Sequence, residues 1–224
     1  MARGGSRTRK WLEFLALFVG IPLWLAWAKL FGSYRVPVIP VLIGLTLFVT
    51  VILVFDRRFR WREAIAWRWS RGAALGILGR FAILGAALSA LVAMVAPHLF
   101  LSFPRENPGL WALVMIGYPV LSVVPQEFLY RVFFFHRYED LLGGAVRTSV
   151  HSALLFGVAH LLFGSWISVV LTAIGGWFFA TTYARTRSLW LASFEHALYG
   201  QLVFTVGLGQ YFYGGTVQMI DGAS

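Results

Sequence analysis

Residues 72–97 read GAALGILGRFAILGAALSALVAMVAP, in which Arg80 is the one charged side chain. About 20 apolar residues in a helix are enough to cross the hydrocarbon core of a bilayer. The run is continuous and does not alternate apolar with polar residues, which favours a helix over a strand of a membrane barrel. The segment therefore predicts a transmembrane helix.

Similar apolar runs recur along the chain of 224 residues, of which 59% are hydrophobic and only 12% charged. Water-soluble domains normally have about 25% charged residues, so most of this surface is expected to face lipid. The predicted spans are 11–31, 36–55, 72–97, 110–135, 148–163, 166–183 and 188–206. The predicted fold class is all-α, a polytopic transmembrane bundle of about seven to eight helices. Since no repeat or linker divides it, residues 1–224 are treated as a single transmembrane domain.

The distribution of positive charge predicts the orientation. A cytoplasmic N-terminus places 14 of the 19 lysines and arginines in cytoplasmic segments and only Lys29, Arg35 and Arg105 outside. This asymmetry favours that orientation, with the tail 207–224 outside, and the expected location is a prokaryotic inner membrane. The basic residues are spread over the loops, so the net charge of +10 indicates topology and lipid contact, with no nucleic-acid partner expected.

The segment 56–71 alternates arginines with aromatic residues and leaves two interpretations open. It is either an amphipathic helix lying on the anionic inner leaflet or a basic loop after the second span. The chain has no cysteine, so disulfides, thiolate nucleophiles and cysteine metal sites are excluded. Any chemistry must come from other side chains.

Ionisable residues are concentrated in the apolar runs of the second half: Glu127, Arg131, His160, Glu195 and His196. Such groups are costly in a membrane and mark a functional interior by default. The first three spans contain only Arg80 well inside them. Residues 1–108 are therefore predicted to be scaffold spans and residues 109–206 the core that bears the motifs.

Two of these motifs have helical spacing. Glu127 and Arg131 are four residues apart and share a helix face, as do Phe156 and His160. Together with His196, the carboxylate and the two imidazoles form a set capable of general acid/base chemistry. Taken alone, the Glu127 and Arg131 pair is equally compatible with an ion pair that has no chemical role.

The order Glu-x-x-x-Arg at 127–131, Phe-x-x-x-His at 156–160 and then His196 resembles the CAAX protease and bacteriocin-processing (CPBP) family of intramembrane endopeptidases. The resemblance covers about residues 110–206. It implies an eight-helix membrane fold and hydrolysis of a peptide bond in a substrate with a hydrophobic or membrane-embedded segment. In the implied catalytic site, Glu127 and His160 activate a water, His196 helps to stabilise the oxyanion and Arg131 supports the glutamate.

The chain departs from the family pattern at two positions. Gln126 stands where relatives often have the leading glutamate of a pair, and an amide cannot act as a base. Gly200 stands four residues after His196, where the family usually has asparagine, so one oxyanion donor is unaccounted for. Glu195 and Gln201 are the candidates to compensate for it.

No cofactor is expected, and a metal-free glutamic mechanism is favoured. Zinc stays open, because two histidines and a glutamate can bind it, although the His-Glu-x-x-His spacing of zinc proteases is absent. Two other functions also stay open: a proton-coupled transporter that uses the same residues as a relay, and a CPBP-like protein that binds peptides without cutting them. Because His196 follows the basic loop at 185–187 by about eight residues, the site is predicted to be reached from the cytoplasmic half of the membrane.

Overall fold

The computed structural model describes residues 2–32 and 36–212, with side chains from residue 7 onward. Within these ranges the chain forms nine helices and no strand, which confirms the all-α class. In chain order they are α1 (Ala2–Leu15, Ala16–Gly20 and Ile21–Phe31, continuous), α2 (Val38–Val54), α3 (Trp61–Ala64), α4 (Arg71–Val95), α5 (Ser102–Glu106), α6 (Pro108–Leu142), α7 (Ala145–Ala159, then the 3-10 turn His160–Phe163), α8 (Trp166–Thr186) and α9 (Leu189–Thr205). A 3-10 turn at Leu208–Tyr211 follows.

Seven of these helices correspond to the seven predicted spans, and the chain is an integral membrane protein. Among the described residues, five are long and apolar enough to cross a bilayer, namely α1 from Arg7 onward, α4, α6, α7 and α8. The other two, α2 and α9, have 17 residues each. A helix of that length is about 25 Å long, the lower limit for a span. Arg35 and the tail beyond residue 212 lie outside the described residues, so the position of the tail outside the membrane stays a prediction.

Local sequence explains where several helices begin and end. Ser70 and Ser188 cap α4 and α9, their side-chain oxygens accepting from the backbone N–H groups of Ala73 at 3.3 Å and Leu191 at 3.2 Å. The helix α6 ends at Gly143, whose φ of 84° favours glycine. It continues seven residues past its predicted end at 135, because its last turns are amphipathic and apolarity alone does not reveal them.

Of the two interpretations left open for 56–71, the surface helix does not fit most of the segment, since between residues 56 and 70 only the four residues of α3 are helical. The Asp56 carboxylate accepts from the backbone N–H of Arg58 at 3.0 Å, which forms a turn before α3. The indole N–H of Trp190 donates to the carbonyl of Ile65 at 3.1 Å, just after α3 ends. The segment is therefore a basic loop tied to α9.

The loop 57–71 lies at the same end of the bundle as Arg137 and the turns at 143–144 and 187–188. We call this the basic end. Next to it the interior is filled by an aromatic cluster from α1 and α6, in which ring centroids lie 4.8 to 6.3 Å apart. Its members are Phe14, Phe18, Phe133, Phe134 and Tyr138. The aromatic cluster thus closes the bundle interior at the basic end. The opposite end of the bundle is the one at which α1 ends and α2 begins.

Candidate active site

The helix α6 is irregular where it contributes to the site. Two stretches of π-helical hydrogen bonding, Pro119–Val123 and Phe128–Phe133, flank the single α-helical turn Val124–Glu127. Prolines at 119 and 125 supply no backbone N–H, so the regular ladder cannot be completed there. Such π segments occur often at functional sites, because they re-aim side chains that a regular helix would direct elsewhere.

Glu127 and Arg131 form a fully buried ion pair on this irregular stretch. The Arg131 Nε lies 3.1 Å from Glu127 Oε2, and both side chains are 0% exposed. The predicted shared face is therefore present. Each charge compensates the other where water is excluded, which is the condition under which a buried charge is tolerated.

His196 joins this pair from α9. Its Nδ1 lies 2.9 Å from Glu127 Oε1, so the two carboxylate oxygens face different partners, one the imidazole and one the guanidinium. The imidazole ring stacks on Phe179 with centroids 4.5 Å apart and planes 12° apart. The structure thus brings together three of the four predicted site residues, of which His196 lies 69 residues from Glu127 in the sequence.

Further contacts hold Arg131 in place. Its Nη1 donates to the hydroxyl of Ser152 on α7 and to the carbonyl of Tyr130 at 3.3 Å. Its guanidinium carbon lies 5.4 Å from the ring centroid of Phe156 and 6.0 Å from that of Phe179. Ser152 and Phe179 were not singled out from the sequence, because a serine or phenylalanine in a span is common.

His160 contributes to the site from the C-terminal end of α7. Its Nδ1 lies 2.7 Å from the carbonyl oxygen of Phe156. Since a carbonyl only accepts, Nδ1 must carry the hydrogen, and Nε2 of the neutral ring is then left as an acceptor. The rings of His160 and His196 both contact the Phe156 ring, with centroids 4.7 and 5.5 Å from it. The two histidines therefore flank one phenylalanine.

A cavity of about 710 Å³ adjoins these residues. That size suits a small ligand or part of a peptide. Its walls are almost wholly apolar, and His160, His196, Gln126 and Tyr118 are among the polar side chains that line it. Glu127 is 0% exposed and lies behind His196.

The cavity extends toward the end opposite the basic end. It is lined by the second half of α1, the first half of α2 and residues 84–88 of α4. For a cytoplasmic N-terminus, that end faces outward. The predicted orientation and the predicted approach from the cytoplasmic half therefore cannot both hold, because the aromatic cluster lies between the site and the basic end. The number of residues between the basic loop and His196 predicts the depth of the histidine in the membrane. It does not predict toward which end of the bundle the cavity beside His196 extends.

The first departure from the family pattern, Gln126, lines the cavity. Its side-chain N–H donates to Ser122 Oγ at 2.7 Å, and its buried Oε1 has no hydrogen-bond partner among the described residues. An unpaired buried carbonyl is costly, so this oxygen is a point where a bound water or substrate N–H would gain a hydrogen bond.

The second departure, Gly200, is explained by Tyr118. A Cβ atom at residue 200 would lie 2.3 Å from the Tyr118 hydroxyl oxygen and 2.4 Å from its ring. The same hydroxyl lies 3.0 Å from His196 Nε2. Glycine at 200 is thus required for Tyr118 to reach the histidine.

Neither candidate to compensate for the missing asparagine is free to do so. Glu195 is fully buried and binds Arg80 of α4 through Nε at 3.0 Å and through Nη2, and it accepts from Thr182 at 2.5 Å. Gln201 donates to the backbone carbonyl of Met115 at 2.7 Å. Both residues connect α9 to neighbouring helices, and the expectation that one of them replaces the donor has no geometric support.

Zinc was left open by the sequence. In the described ranges, no group of three histidine, aspartate or glutamate side chains is placed to hold a metal ion. The Arg131 guanidinium beside Glu127 Oε2 also disfavours a cation there, since like charges repel.

Comparison with known families agrees with the motif pattern. The model of the Rce1-like family, described as type II CAAX prenyl endopeptidase Rce1-like, matches residues 107–201. Residues 107–201, which are under half of the chain, are thus similar to this family. The matched segment contains all four predicted site residues, and its similarity to this family supports protease activity. No curated protein and no solved structure gave a significant match.

Proposed function

We propose that this protein is an intramembrane endopeptidase that hydrolyses a peptide bond with a water activated by a glutamate and a histidine. The supporting observation is that Glu127 and Arg131 converge on His196, which lines an apolar cavity together with His160. The similarity of residues 107–201 to a prenyl endopeptidase family favours this use of the residues over proton transport.

In the proposed mechanism, His160 is the general base. Its Nδ1–H is held by the Phe156 carbonyl, which leaves the Nε2 lone pair available to a water in the cavity. Nε2 accepts a proton from this water while the water oxygen bonds to the carbonyl carbon of the substrate. The resulting tetrahedral intermediate has its negative charge on the former carbonyl oxygen. His160 then returns the proton to the amide nitrogen as the C–N bond breaks.

Glu127 acts through His196 in this proposal. An ionised carboxylate 2.9 Å from Nδ1 stabilises the protonated imidazolium, and a positive ring on the cavity wall stabilises the developing oxyanion. Arg131, whose Nε lies 3.1 Å from Glu127 Oε2, compensates the charge of the carboxylate and orients it. His160 thus removes the proton from the water, and Glu127 assists this step by stabilising, through His196, the charge of the intermediate that forms.

The proposed substrate is a membrane-associated peptide. The apolar walls of the cavity suit a hydrophobic side chain or lipid group, and the family description names prenyl endopeptidases of CAAX sequences. A CAAX sequence is a C-terminal cysteine, modified by a prenyl chain, followed by two aliphatic residues and a variable one.

The test is cleavage of internally quenched CAAX peptides, prenylated and unmodified, by purified protein in liposomes. The parent protein is expected to cleave at least one of them, and His160→Ala is expected to lose activity by about 100-fold or more. The matched control is His151→Ala, because His151 is exposed near the start of α7, remote from the cavity. Binding of peptide without cleavage would favour the non-catalytic alternative, and proton flux without cleavage would favour the transporter.

A further inference from the structure

The family asparagine after His196 is replaced by glycine, and the space it would occupy is filled by Tyr118. A Cβ at residue 200 would lie 2.3, 2.4 and 2.6 Å from Tyr118 Oη, Cε1 and Cζ. Real Cβ atoms do not approach other atoms so closely, and both backbones are fixed in packed helices. Tyr118 in this position and any side chain at 200 therefore exclude each other.

The replacement also brings a hydrogen-bonding group to the location of the missing amide. The Tyr118 hydroxyl lies 3.0 Å from His196 Nε2, and Tyr118 lines the cavity beside that histidine. Its ring packs edge-on against Phe204 of α9 with centroids 5.2 Å apart. The side chain is therefore held between α6 and α9 with its hydroxyl at the boundary between the histidine and the cavity.

We propose that the Tyr118 hydroxyl is the oxyanion donor that replaces the asparagine. This inference rests on the proposed endopeptidase function. Glu127 accepts from His196 Nδ1, the imidazolium Nε2–H donates to the Tyr118 oxygen, and the tyrosine O–H then donates to the oxyanion. No proton needs to leave the tyrosine. Its hydrogen bond from a cationic ring makes the hydroxyl a stronger donor.

The first test is Tyr118→Phe, which keeps the ring and removes the donor. Loss of one oxyanion donor lowers kcat by roughly 100- to 1,000-fold, with KM changed only slightly. The matched control is Tyr183→Phe, which removes the hydroxyl of another buried tyrosine on α8, outside the cavity wall. Tyr183→Phe should keep the parent kcat, and thermal unfolding should show both variants folded. Retention of the parent kcat by Tyr118→Phe while His160→Ala is inactive would overturn the inference and leave the proposed function intact.

The second test exchanges the donors. Gly200→Asn alone should abolish cleavage or folding, because the new side chain collides with Tyr118. Tyr118→Ala alone should lose activity to the same extent as Tyr118→Phe. The double variant Tyr118→Ala/Gly200→Asn restores both space and donor, and its kcat should exceed that of either single variant by about tenfold or more. A double variant no better than Tyr118→Ala would contradict the exchange. A parent protein that cleaves neither peptide would overturn the proposed function and this inference with it.

Discussion

The side chain of Gln201 donates a hydrogen bond to the backbone carbonyl of Met115, 2.7 Å away. In a regular helix this carbonyl would accept from residue 119, but Pro119 has no N–H. The amide of α9 thus supplies the donor that α6 lacks. The contact fixes the irregular part of α6 to α9, and the same pair of helices holds Glu127 against His196.

Replacing Gln201 should therefore destabilise the fold. Gln201→Leu leaves the Met115 carbonyl without a donor, at a cost of about 1–3 kcal/mol in the free energy of unfolding. Unfolding of the purified protein in detergent measures the loss. In a Pro119→Ala background, the restored backbone N–H serves the carbonyl, so the same substitution should cost less. An equal cost in both backgrounds would show that the hydrogen bond to Met115 is not what Gln201 contributes.

Glu127→Gln tests the proposed electrostatic role of the glutamate. The amide keeps the shape of the carboxylate but cannot stabilise a His196 imidazolium, so cleavage should slow by roughly 100-fold or more. The helical content should be retained, although Arg131 loses its partner. Cleavage rate and unfolding temperature are measured together. A folded variant that cuts at the parent rate would remove Glu127 from the catalytic site.

The other buried glutamate, Glu195, is expected to behave differently. It is 0% exposed and binds Arg80 and Thr182, away from the cavity lining. Glu195→Gln should destabilise the protein by up to about 3 kcal/mol, the low end for breaking a buried pair, because the Arg80 side chain is 31% exposed. The folded fraction should keep its kcat. A large fall in kcat without loss of stability would instead place Glu195 in the catalytic machinery.

Gln126→Glu introduces the leading acid of the family pair. Its Oε1 is buried, lines the cavity and lacks a partner, so a carboxylate there can accept from the attacking water beside His160. Cleavage should be retained or increased. The comparison is Gln126→Leu, which has no acceptor and should cleave more slowly than the parent. If Gln126→Glu cleaves as slowly as Gln126→Leu, residue 126 does not accept from the attacking water.

The sequence was sufficient for the helical class and for the shared face of Glu127 and Arg131, because apolar length and four-residue spacing are local signals. His196 lies 69 residues from Glu127 and was grouped with the pair as an acid/base set and through the family resemblance. It missed Tyr118, since a tyrosine in an apolar span is usually an interfacial or packing residue. Its contact with His196 depends on the irregular α6 and on the absence of a side chain at Gly200, which are tertiary properties. Arg80 was likewise assigned to the scaffold, because its partner Glu195 is 115 residues away.

The side from which the cavity is reached can be determined with single cysteines, because the chain contains none of its own. Leu113 lines the cavity near the start of α6, at the end opposite the basic end, and Arg58 is exposed in the basic loop. With a cytoplasmic N-terminus, as the charge distribution predicts, Leu113→Cys should react with a membrane-impermeant thiol reagent from the outer face of sealed vesicles.

Arg58→Cys is the control and should react only from the inner face. Prior addition of an uncleavable peptide analogue should slow the labelling of Leu113→Cys and leave that of Arg58→Cys unchanged, because the peptide occupies the cavity and not the loop. The two cysteines reacting from the same face would contradict the position of the cavity relative to the basic end, whichever way the protein is inserted. If Arg58→Cys reacts only from the outer face and Leu113→Cys only from the inner face, the position of the cavity is retained and the predicted orientation is refuted. The experiment therefore tests two statements independently. One is that the aromatic cluster closes the basic end of the bundle, and the other is that the positive charges orient the protein in the membrane.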